Sequence, residues 1–192
     1  NLPKEERLEV IINAAVAEFV EKGYENASMD SIAKRAGVSK GGLYHHFKSK
    51  EEIMIFANNV FVKPIEQMME KAIKSESPVE GLKAYIFKYV DFWSKHPKQV
   101  AFVFLSMIKA LDNKEMWISY EGYILALVDF FESIINKGIA KKEFKKCEAK
   151  EIAVALAASL DGLISYVIMS KKITAKVVST SIFNSIVKPI LK

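Results

Sequence analysis

Apolar residues recur every three or four positions along most of the 192-residue chain. In the first predicted helix, over residues 4–22, they are Leu8, Ile11, Ile12, Ala15 and Phe19. These positions share one face of a helix, and no segment shows the alternating pattern of a strand. The pattern therefore predicts an all-α protein of about nine helices.

Capping residues and helix breakers place several boundaries. Ser77, followed by Pro78, is a strong helix start, and that helix is expected to end near Pro97. Gly138 is expected to stop a later helix, and Pro64 to bend the helix that runs from about residue 50 towards residue 75. The remaining helices are expected over about residues 98–111, 114–137, 148–170 and 174–191.

Two short helical segments meet at Gly37, which supplies a tight turn. Ala33, four residues earlier, is small enough for the second helix to cross close over the first. The apolar residues that would hold the pair together are Ile32, Ala36, Val38, Leu43 and Phe47. This pattern is typical of a helix-turn-helix, whose second helix lies in the major groove of DNA.

The other face of the second segment is polar. Ser39 is a good N-cap, and two glycines, Gly41 and Gly42, follow in the first turn. Each glycine costs a helix roughly 0.8–1 kcal/mol relative to alanine, which indicates a backbone that must approach DNA. Ser49 and Glu52 form a predicted capping box for the next helix.

Positive charge is concentrated in this segment. Residues 28–50 contain five Lys/Arg and one Asp, a net charge of +4, whereas residues 1–27 have a net charge of −3. The excess of +5 over the whole chain is less informative than this local one, because phosphate neutralisation drives most non-specific DNA affinity.

The N-terminal segment resembles the DNA-binding domain of TetR-type transcriptional regulators. The matching residues are Ile12–Ala15, Phe19, Gly23, Tyr24, Ser28, Ile32, Ala33, Ala36–Ser39, Gly41, Leu43, Tyr44, His46, Phe47, Lys50 and Glu51. The resemblance covers roughly the first 55 residues. Ser28 departs from the commoner threonine but keeps the hydroxyl.

The resemblance implies two domains, a three-helix DNA-binding domain at 1–48 and a helical effector-binding and dimerisation domain at 49–192. We expect Ser28, Tyr44 and Lys50 to hold phosphates. The full predicted DNA-binding set is Ser28, Ser39, Lys40, Gly41, Tyr44, His45, His46 and Lys50. Leu43 and Phe47 are expected in the core, away from DNA.

The last two predicted helices are candidates for a dimer interface. Small residues keep the first one thin, and two such helices from each subunit would make a four-helix bundle. The interface residues expected are Ala155, Ala158, Ser159, Gly162, Tyr166, Ile182 and Ile186. The alternative is that both helices pack only within their own chain. The dimer is preferred mainly because the resemblance implies it, and a palindromic operator requires a two-fold symmetric protein.

Aromatic and Met residues crowd the middle of the chain, as in an apolar ligand cavity or an ordinary core. The predicted pocket residues are Tyr89, Phe92, Trp93, Phe104, Met107, Trp117, Tyr123, Phe130 and Asp161. A small hydrophobic or amphipathic effector is the expected ligand. Asp161 or Asp129 could orient a polar group of that ligand, or could face water, a helix cap or the dimer partner.

Residues 152–170 have the length of a membrane span, but Asp161 at their centre would cost roughly 2.5–3.5 kcal/mol in a bilayer. A helix buried among protein helices is the preferred interpretation. One cysteine, Cys147, fits a reducing cytosol, and no signal peptide is recognised, so a cytoplasmic protein is expected.

Three histidines and one cysteine do not form a metal-binding pattern, and no cofactor or catalytic motif is found. The chain is therefore predicted to be a dimeric DNA-binding regulator, most readily a repressor, rather than an enzyme. Two rivals stay open: a ligand-independent architectural or adaptor protein on DNA, and a small-molecule carrier or enzyme whose helix-turn-helix has no role.

Overall fold

The computed structural model describes residues 3–192, and this part of the chain forms nine α-helices. They are α1 (Lys4–Lys22), α2 (Met29–Ala36), α3 (Lys40–His46), α4 (Lys50–Ile73), α5 (Pro78–Ser94), α6 (Pro97–Ala110), α7 (Lys114–Ala140), α8 (Ala149–Met169) and α9 (Ala175–Ile182). No strand is formed within these described residues, which confirms the all-α prediction.

The chain divides into two compact units. The first comprises Asn1–Val62 and Lys98–Tyr120, and the second comprises Lys63–Pro97 and Glu121–Lys192. The helices α4 and α7 each contribute residues to both units. This division differs from the predicted boundary after residue 48, because segment 98–120 belongs to the first unit. The functional division into 1–48 and 49–192 stays a prediction.

The core of the first unit joins the helix-turn-helix to its supporting helices. Helix α1 packs against α2, and α2 against α3. Phe19 of α1 is fully buried, and its ring centroid lies 6.1 Å from that of Phe102 of α6. Ile32 and Leu43, predicted to hold the two short helices together, are fully buried in the same core.

In the second unit, α5 packs against both α8 and α9. The predicted start of α5 is confirmed: the N–H of Glu80 donates to Ser77 Oγ at 3.2 Å, and Pro78 occupies the first turn. The Ser77 hydroxyl in turn donates to the Glu143 carboxylate at 2.7 Å. No local sequence rule identifies Glu143 as a partner of this helix start, because Glu143 lies 66 residues further along the chain.

Two predicted helix ends are wrong. Gly138 lies inside α7, which continues to Ala140. A Cβ atom at position 138 would lie 2.1 Å from the ring of Phe144, so this glycine allows close packing and does not stop the helix. The last helix was predicted to continue to about residue 191, but α9 ends at Ile182. A π-helical segment at Phe183–Val187 and a 3₁₀ turn at Lys188–Ile190 follow it.

Helix α8 has two different faces. Leu156, Leu160 and Ile164 are buried within the chain, whereas Val154 and Tyr166 are about half exposed. The helix is long and apolar enough to cross a membrane, with a mean hydropathy of 2.0, and 28% of its 18-residue apolar stretch is buried. The expectation that this helix is buried therefore holds for only one of its faces in a single chain.

Candidate nucleic-acid interface

The turn between α2 and α3 is built on a glycine for a conformational reason. Gly37 has φ +67°, in the left-handed region that a side chain disfavours. Its N–H donates to the carbonyl of Lys34 at 3.3 Å, and the N–H of Val38 donates to the carbonyl of Ala33 at 3.0 Å. These bonds fix the direction in which α3 leaves the turn.

Helix α3 presents a polar face opposite its buried one. Ser39 caps the helix, since its hydroxyl accepts the N–H of Gly42 at 3.0 Å. Leu43 and Phe47 are buried, which confirms that they belong to the core. The side chain of Tyr44 is 45% exposed. Lys40, Gly41 and His45 are exposed as well, and His46 is partly exposed.

The structure explains glycine at only one of the two glycine positions of α3. A Cβ at Gly42 would lie 3.1 Å from the capping hydroxyl of Ser39, so the cap itself favours glycine there. A Cβ at Gly41 would meet nothing within 4 Å. The fold does not require Gly41, so its bare backbone on the exposed face of α3 is open to the close approach of another molecule. Gly122 of α7 is equally unconstrained, so open space alone does not demonstrate such an approach.

Ser28 begins α2 with a reciprocal capping box. Its hydroxyl accepts the N–H of Ser31 at 3.0 Å, and the Ser31 hydroxyl accepts the N–H of Ser28 at 3.0 Å. Sequence analysis missed Ser31, because glutamate or glutamine is the usual residue at that position. The predicted phosphate contact of Ser28 must therefore coexist with its role as a cap.

The ammonium group of Lys50, which was predicted to hold a phosphate, contacts the loop between α1 and α2. It donates to the carbonyls of Tyr24 and Ala27, at 2.8 and 2.9 Å, and lies 4.4 Å from the centroid of the Tyr24 ring. The loop between α1 and α2 is thereby tied to the start of α4. A phosphate contact from Lys50 stays a prediction, and it competes with these two hydrogen bonds.

Helix α4 begins nearly as predicted. The N–H of Glu52 donates to Ser49 Oγ at 3.2 Å, as in a capping box. The carboxylate of Glu52, however, accepts the N–H of Lys48 at 2.6 Å, one residue before the expected partner.

Acidic side chains neutralise part of the positive charge of residues 28–50. Arg35 contacts Glu18 at 2.7 Å and Glu21 at 2.5 Å, which links α2 to α1. Lys40 forms an ion pair of 2.8 Å with Asp30. Both members of this second pair are mostly exposed, so we expect the pair to contribute little to stability and to open easily.

Sequence analysis missed two basic residues near α3. The pKa of His46 is lowered by its partial burial and then by the positive charges of His45, Arg7 and Lys4. Arg7 also lines a cleft of about 310 Å³ together with Ser39 and Gly42. Lys4 and Arg7 therefore bring positive charge close to His46 of α3, although Glu5 and Glu6 in the same turn leave that turn with no net charge. Basic residues at the start of the first helix were the available signal.

The structure divides the predicted pocket residues between the two units. Phe104, Met107 and Trp117 belong to the first unit, and Trp117 is 49% exposed. The other six belong to the second unit: Tyr89, Phe92, Trp93, Tyr123, Phe130 and Asp161. Among these, Tyr89 and Tyr123 both donate to the Asp161 carboxylate. Asp129 is exposed on α7.

Most of the predicted dimer residues are accessible. Ala155, Ala158, Gly162 and Tyr166 are exposed on one side of α8, and Ser159 and Ile186 are partly exposed. Ile182 is the exception: it is 2% exposed because it packs within its own chain, which leaves it little surface for a partner. Whether the accessible residues meet a second subunit stays a prediction.

Within residues 3–192, no group of three or more His, Cys, Asp or Glu side chains could hold a metal ion. The candidate DNA-binding site is the exposed surface formed by Lys40, Gly41, Tyr44 and His45. Arg7 and Lys4 lie beside it.

Comparisons with known proteins agree with a helix-turn-helix in this part of the chain. Residues 11–55 match the family model for "Bacterial regulatory proteins, tetR family". YhgD of Bacillus subtilis, an uncharacterized HTH-type transcriptional regulator, is 28% identical over 153 residues, covering 79% of this chain and 78% of its own length. IcaR of Staphylococcus epidermidis, a negative regulator of the biofilm operon icaADBC, is 33% identical over 81 residues, covering 42% of this chain and 43% of its own. The fold of SmeT, solved in a complex with triclosan, is similar, with a TM-score of 0.82, 17% identity and coverage of 97% and 92% of the two chains.

Proposed function

We propose that this chain, which belongs to the TetR family of transcriptional regulators, is a dimeric repressor that binds a palindromic operator and is released by a small-molecule effector. The observation that carries the proposal is the polar, exposed face of α3, which carries a glycine that the fold itself does not require. A helix of this kind can enter the major groove with its backbone close to the DNA.

In the proposed complex, phosphate contacts orient the protein and α3 reads the bases. Tyr44 and Ser28 bind phosphates. Arg7 in α1 supplies a further contact to the sugar-phosphate backbone of the DNA. Lys40 and His45 face base edges once Lys40 has left Asp30. The pKa of His46 is lowered by burial, so His46 acts near neutral pH as a neutral hydrogen-bonding group.

The exposed face of α8 supports a homodimer. Val154, Ala158, Gly162 and Tyr166 follow one another at helical spacing on this face, and they leave apolar surface uncovered in the single chain. A second copy of the same face would cover it and place two α3 helices on one DNA duplex, as a two-fold symmetric operator requires.

Repression and effector release are supported by the relatives rather than by a contact in this chain. IcaR is named as a negative regulator, and SmeT binds triclosan in its solved structure. An effector can release the operator only if it binds the conformation with lower DNA affinity more tightly. Action on a chromosomal operator places this protein in the cytoplasm.

Substitution of Gly41 by alanine tests the DNA interface apart from the fold. We expect Gly41→Ala to fold with stability unchanged or raised by up to about 1 kcal/mol, because an alanine favours the helix and has room. Binding to duplex DNA at low salt should nevertheless weaken about tenfold or more, as measured by fluorescence anisotropy.

The matched control is Gly122→Ala in α7, where an added Cβ also meets nothing within 4 Å. It should leave DNA affinity unchanged. If Gly41→Ala binds DNA as tightly as the unmodified protein does, α3 does not approach DNA through this backbone, and the proposed interface is wrong.

A further inference from the structure

The second unit surrounds one carboxylate with aromatic side chains from two other helices. The hydroxyl of Tyr89 in α5 donates to Asp161 of α8 at 2.8 Å. The hydroxyl of Tyr123 in α7 donates to the same oxygen at 3.4 Å. The carboxylate is therefore held in a fixed position where α5, α7 and α8 meet.

Among the described residues, the partners of the Asp161 carboxylate are neutral. Within residues 3–192, no lysine or arginine forms an ion pair with it, and its hydrogen bonds come from tyrosine hydroxyls. Burial raises the pKa of this carboxyl, although the two hydroxyls act against the shift. Asp161 is partly buried, and a carboxylate withdrawn from water without a cation is costly, so a positive charge supplied from outside would offset that cost.

Further buried aromatic rings pack around Tyr89, which donates to the carboxylate. The ring centroids of Tyr89 and Trp93 are 6.3 Å apart, those of Tyr85 and Tyr89 5.7 Å, and those of Tyr85 and Phe130 4.7 Å. The faces of such rings attract organic cations, and their edges pack against apolar groups. The cluster thus combines one negative charge with a surface suited to an alkylated ammonium group.

Two buried polar atoms in this cluster lack hydrogen-bond partners within the described part of the chain. They are the hydroxyl oxygen of Tyr85 and the indole nitrogen of Trp93, whose residues are 1% and 6% exposed. Unpaired buried donors are rare in folded proteins because each carries a desolvation cost. Their presence in the same cluster as Tyr89, which donates to Asp161, is a second, independent indication that a ligand completes this site.

We infer that the effector of this regulator is a lipophilic organic cation, whose ammonium group pairs with Asp161 and whose apolar body contacts Tyr85, Tyr89 and Trp93. This inference rests on the proposed function and adds the chemical class of the ligand. It also predicts which ligand charge the site prefers. An anionic amphiphile of the same length would bring a second negative charge to an unpaired carboxylate and bind poorly.

Three dodecyl compounds of equal chain length separate charge from apolar contact. Calorimetric titration, below the micelle concentration of each, would use dodecyltrimethylammonium, dodecanoate and neutral dodecanol with the full chain. We expect the cation to bind at least about tenfold more tightly than the other two, and to weaken binding to operator DNA.

Asp161→Asn is the decisive variant, because it removes the charge and keeps an oxygen for the tyrosine hydroxyls. It should lose the preference for the cation over dodecanol. Asp129→Asn, which neutralises an exposed aspartate on α7, should keep that preference. Circular dichroism and operator binding without ligand establish that both variants are folded.

The inference is overturned if dodecanoate binds as tightly as the cation, if none of the three compounds binds, or if Asp161→Asn retains the cation preference. Operator binding is recorded separately in the same proteins. Loss of ligand preference with intact operator binding overturns the inference alone, whereas absence of DNA binding in the unmodified protein overturns the proposed function.

Discussion

Individual side chains of the helix-turn-helix divide between those that hold the fold and those that face outward. Arg35 and Lys50 both add to the local positive charge in the sequence, yet Arg35 binds Glu18 and Lys50 binds two carbonyls. Counting charges along a segment therefore overstates the charge that reaches DNA. Sequence analysis could not separate these roles, because the partners Glu18 and Tyr24 lie in another helix or loop.

Residue types with strong local rules were predicted well. Ser39 and Ser77 act as N-caps, and Gly37 adopts a positive φ, because each of these roles depends on neighbours within a few positions. The unpaired charge of Asp161 was beyond this kind of inference. Its environment comes from α5 and α7, and only the folded chain shows that its partners there are tyrosine hydroxyls.

Replacement of Lys50 tests both of its possible roles. If Lys50 contacts phosphate, Lys50→Ala should weaken binding to all DNA sequences alike and lower the slope of log affinity against log salt by about one. The same change removes two hydrogen bonds from a charged donor, so we also expect a loss of about 1–3 kcal/mol in the free energy of unfolding.

Anisotropy titrations over a range of salt concentrations and urea unfolding measure the two effects of Lys50→Ala separately. Lys48→Ala, at an exposed neighbouring lysine, controls for the general loss of charge. A change in sequence preference with an unaltered salt slope would contradict the phosphate assignment of Lys50.

Asp161 predicts a dependence of stability on pH. The pKa of Asp161 in the folded state is raised above its ordinary value of 3.8, because burial disfavours the charged form. The folded state therefore binds the proton more tightly than the unfolded state does. The stability gained in this way is fully present below pH 3.8 and is lost as pH rises through the folded pKa. Asp161→Asn should therefore unfold at a higher temperature than wild type near pH 7, and this difference should shrink towards pH 3.8. Thermal unfolding of both proteins across this pH range would disprove the assignment if the difference grew on acidification.

Whole helices were predicted more reliably than their C-terminal ends. The starts of α1, α3 and α5 follow from capping and periodicity. Gly138 was expected to end α7, because glycine commonly does so, but the close approach of the Phe144 ring explains it instead. Packing of this kind is invisible in the sequence, since no local rule links the two residues.

Alanine at two glycines of α7 compares close packing with helix propensity in one element. Gly138→Ala places a Cβ against the Phe144 ring and should destabilise the protein by about 1–3 kcal/mol. Gly122→Ala, which has room for the methyl group, should stabilise it by up to about 1 kcal/mol. Urea unfolding gives the change in the free energy of unfolding for each variant. A stabilised Gly138→Ala protein would show that the Phe144 ring does not pack closely against position 138.

At the scale of the whole molecule, the sequence indicated which helices could form a dimer but not which face of each was available. Apolar residues occur all around α8, so periodicity alone does not separate its inner and outer sides. The structure makes that separation: Leu160 is buried within the chain, and Ala158 is exposed. Ile182, by contrast, is buried within its own chain.

A charged residue on the exposed face of α8 tests the dimer. Ala158→Glu should fold, because the position is exposed in the single chain, but should sediment as a monomer and lose most of its affinity for operator DNA. Ala84→Glu, at an exposed alanine of α5, should stay dimeric and bind DNA normally. Analytical ultracentrifugation distinguishes the two, and a dimeric Ala158→Glu protein would exclude this face from the interface.

The central claim, that paired α3 helices bind duplex DNA, is tested most directly by selection of bound sequences from a random duplex pool. The account predicts an enriched palindrome whose half-sites are centred about 10 bp, or a multiple of that, apart. It also predicts that Tyr44→Ala abolishes the enrichment. Failure of the wild-type protein to enrich any sequence at low salt, or enrichment of a site without two-fold symmetry, would contradict it.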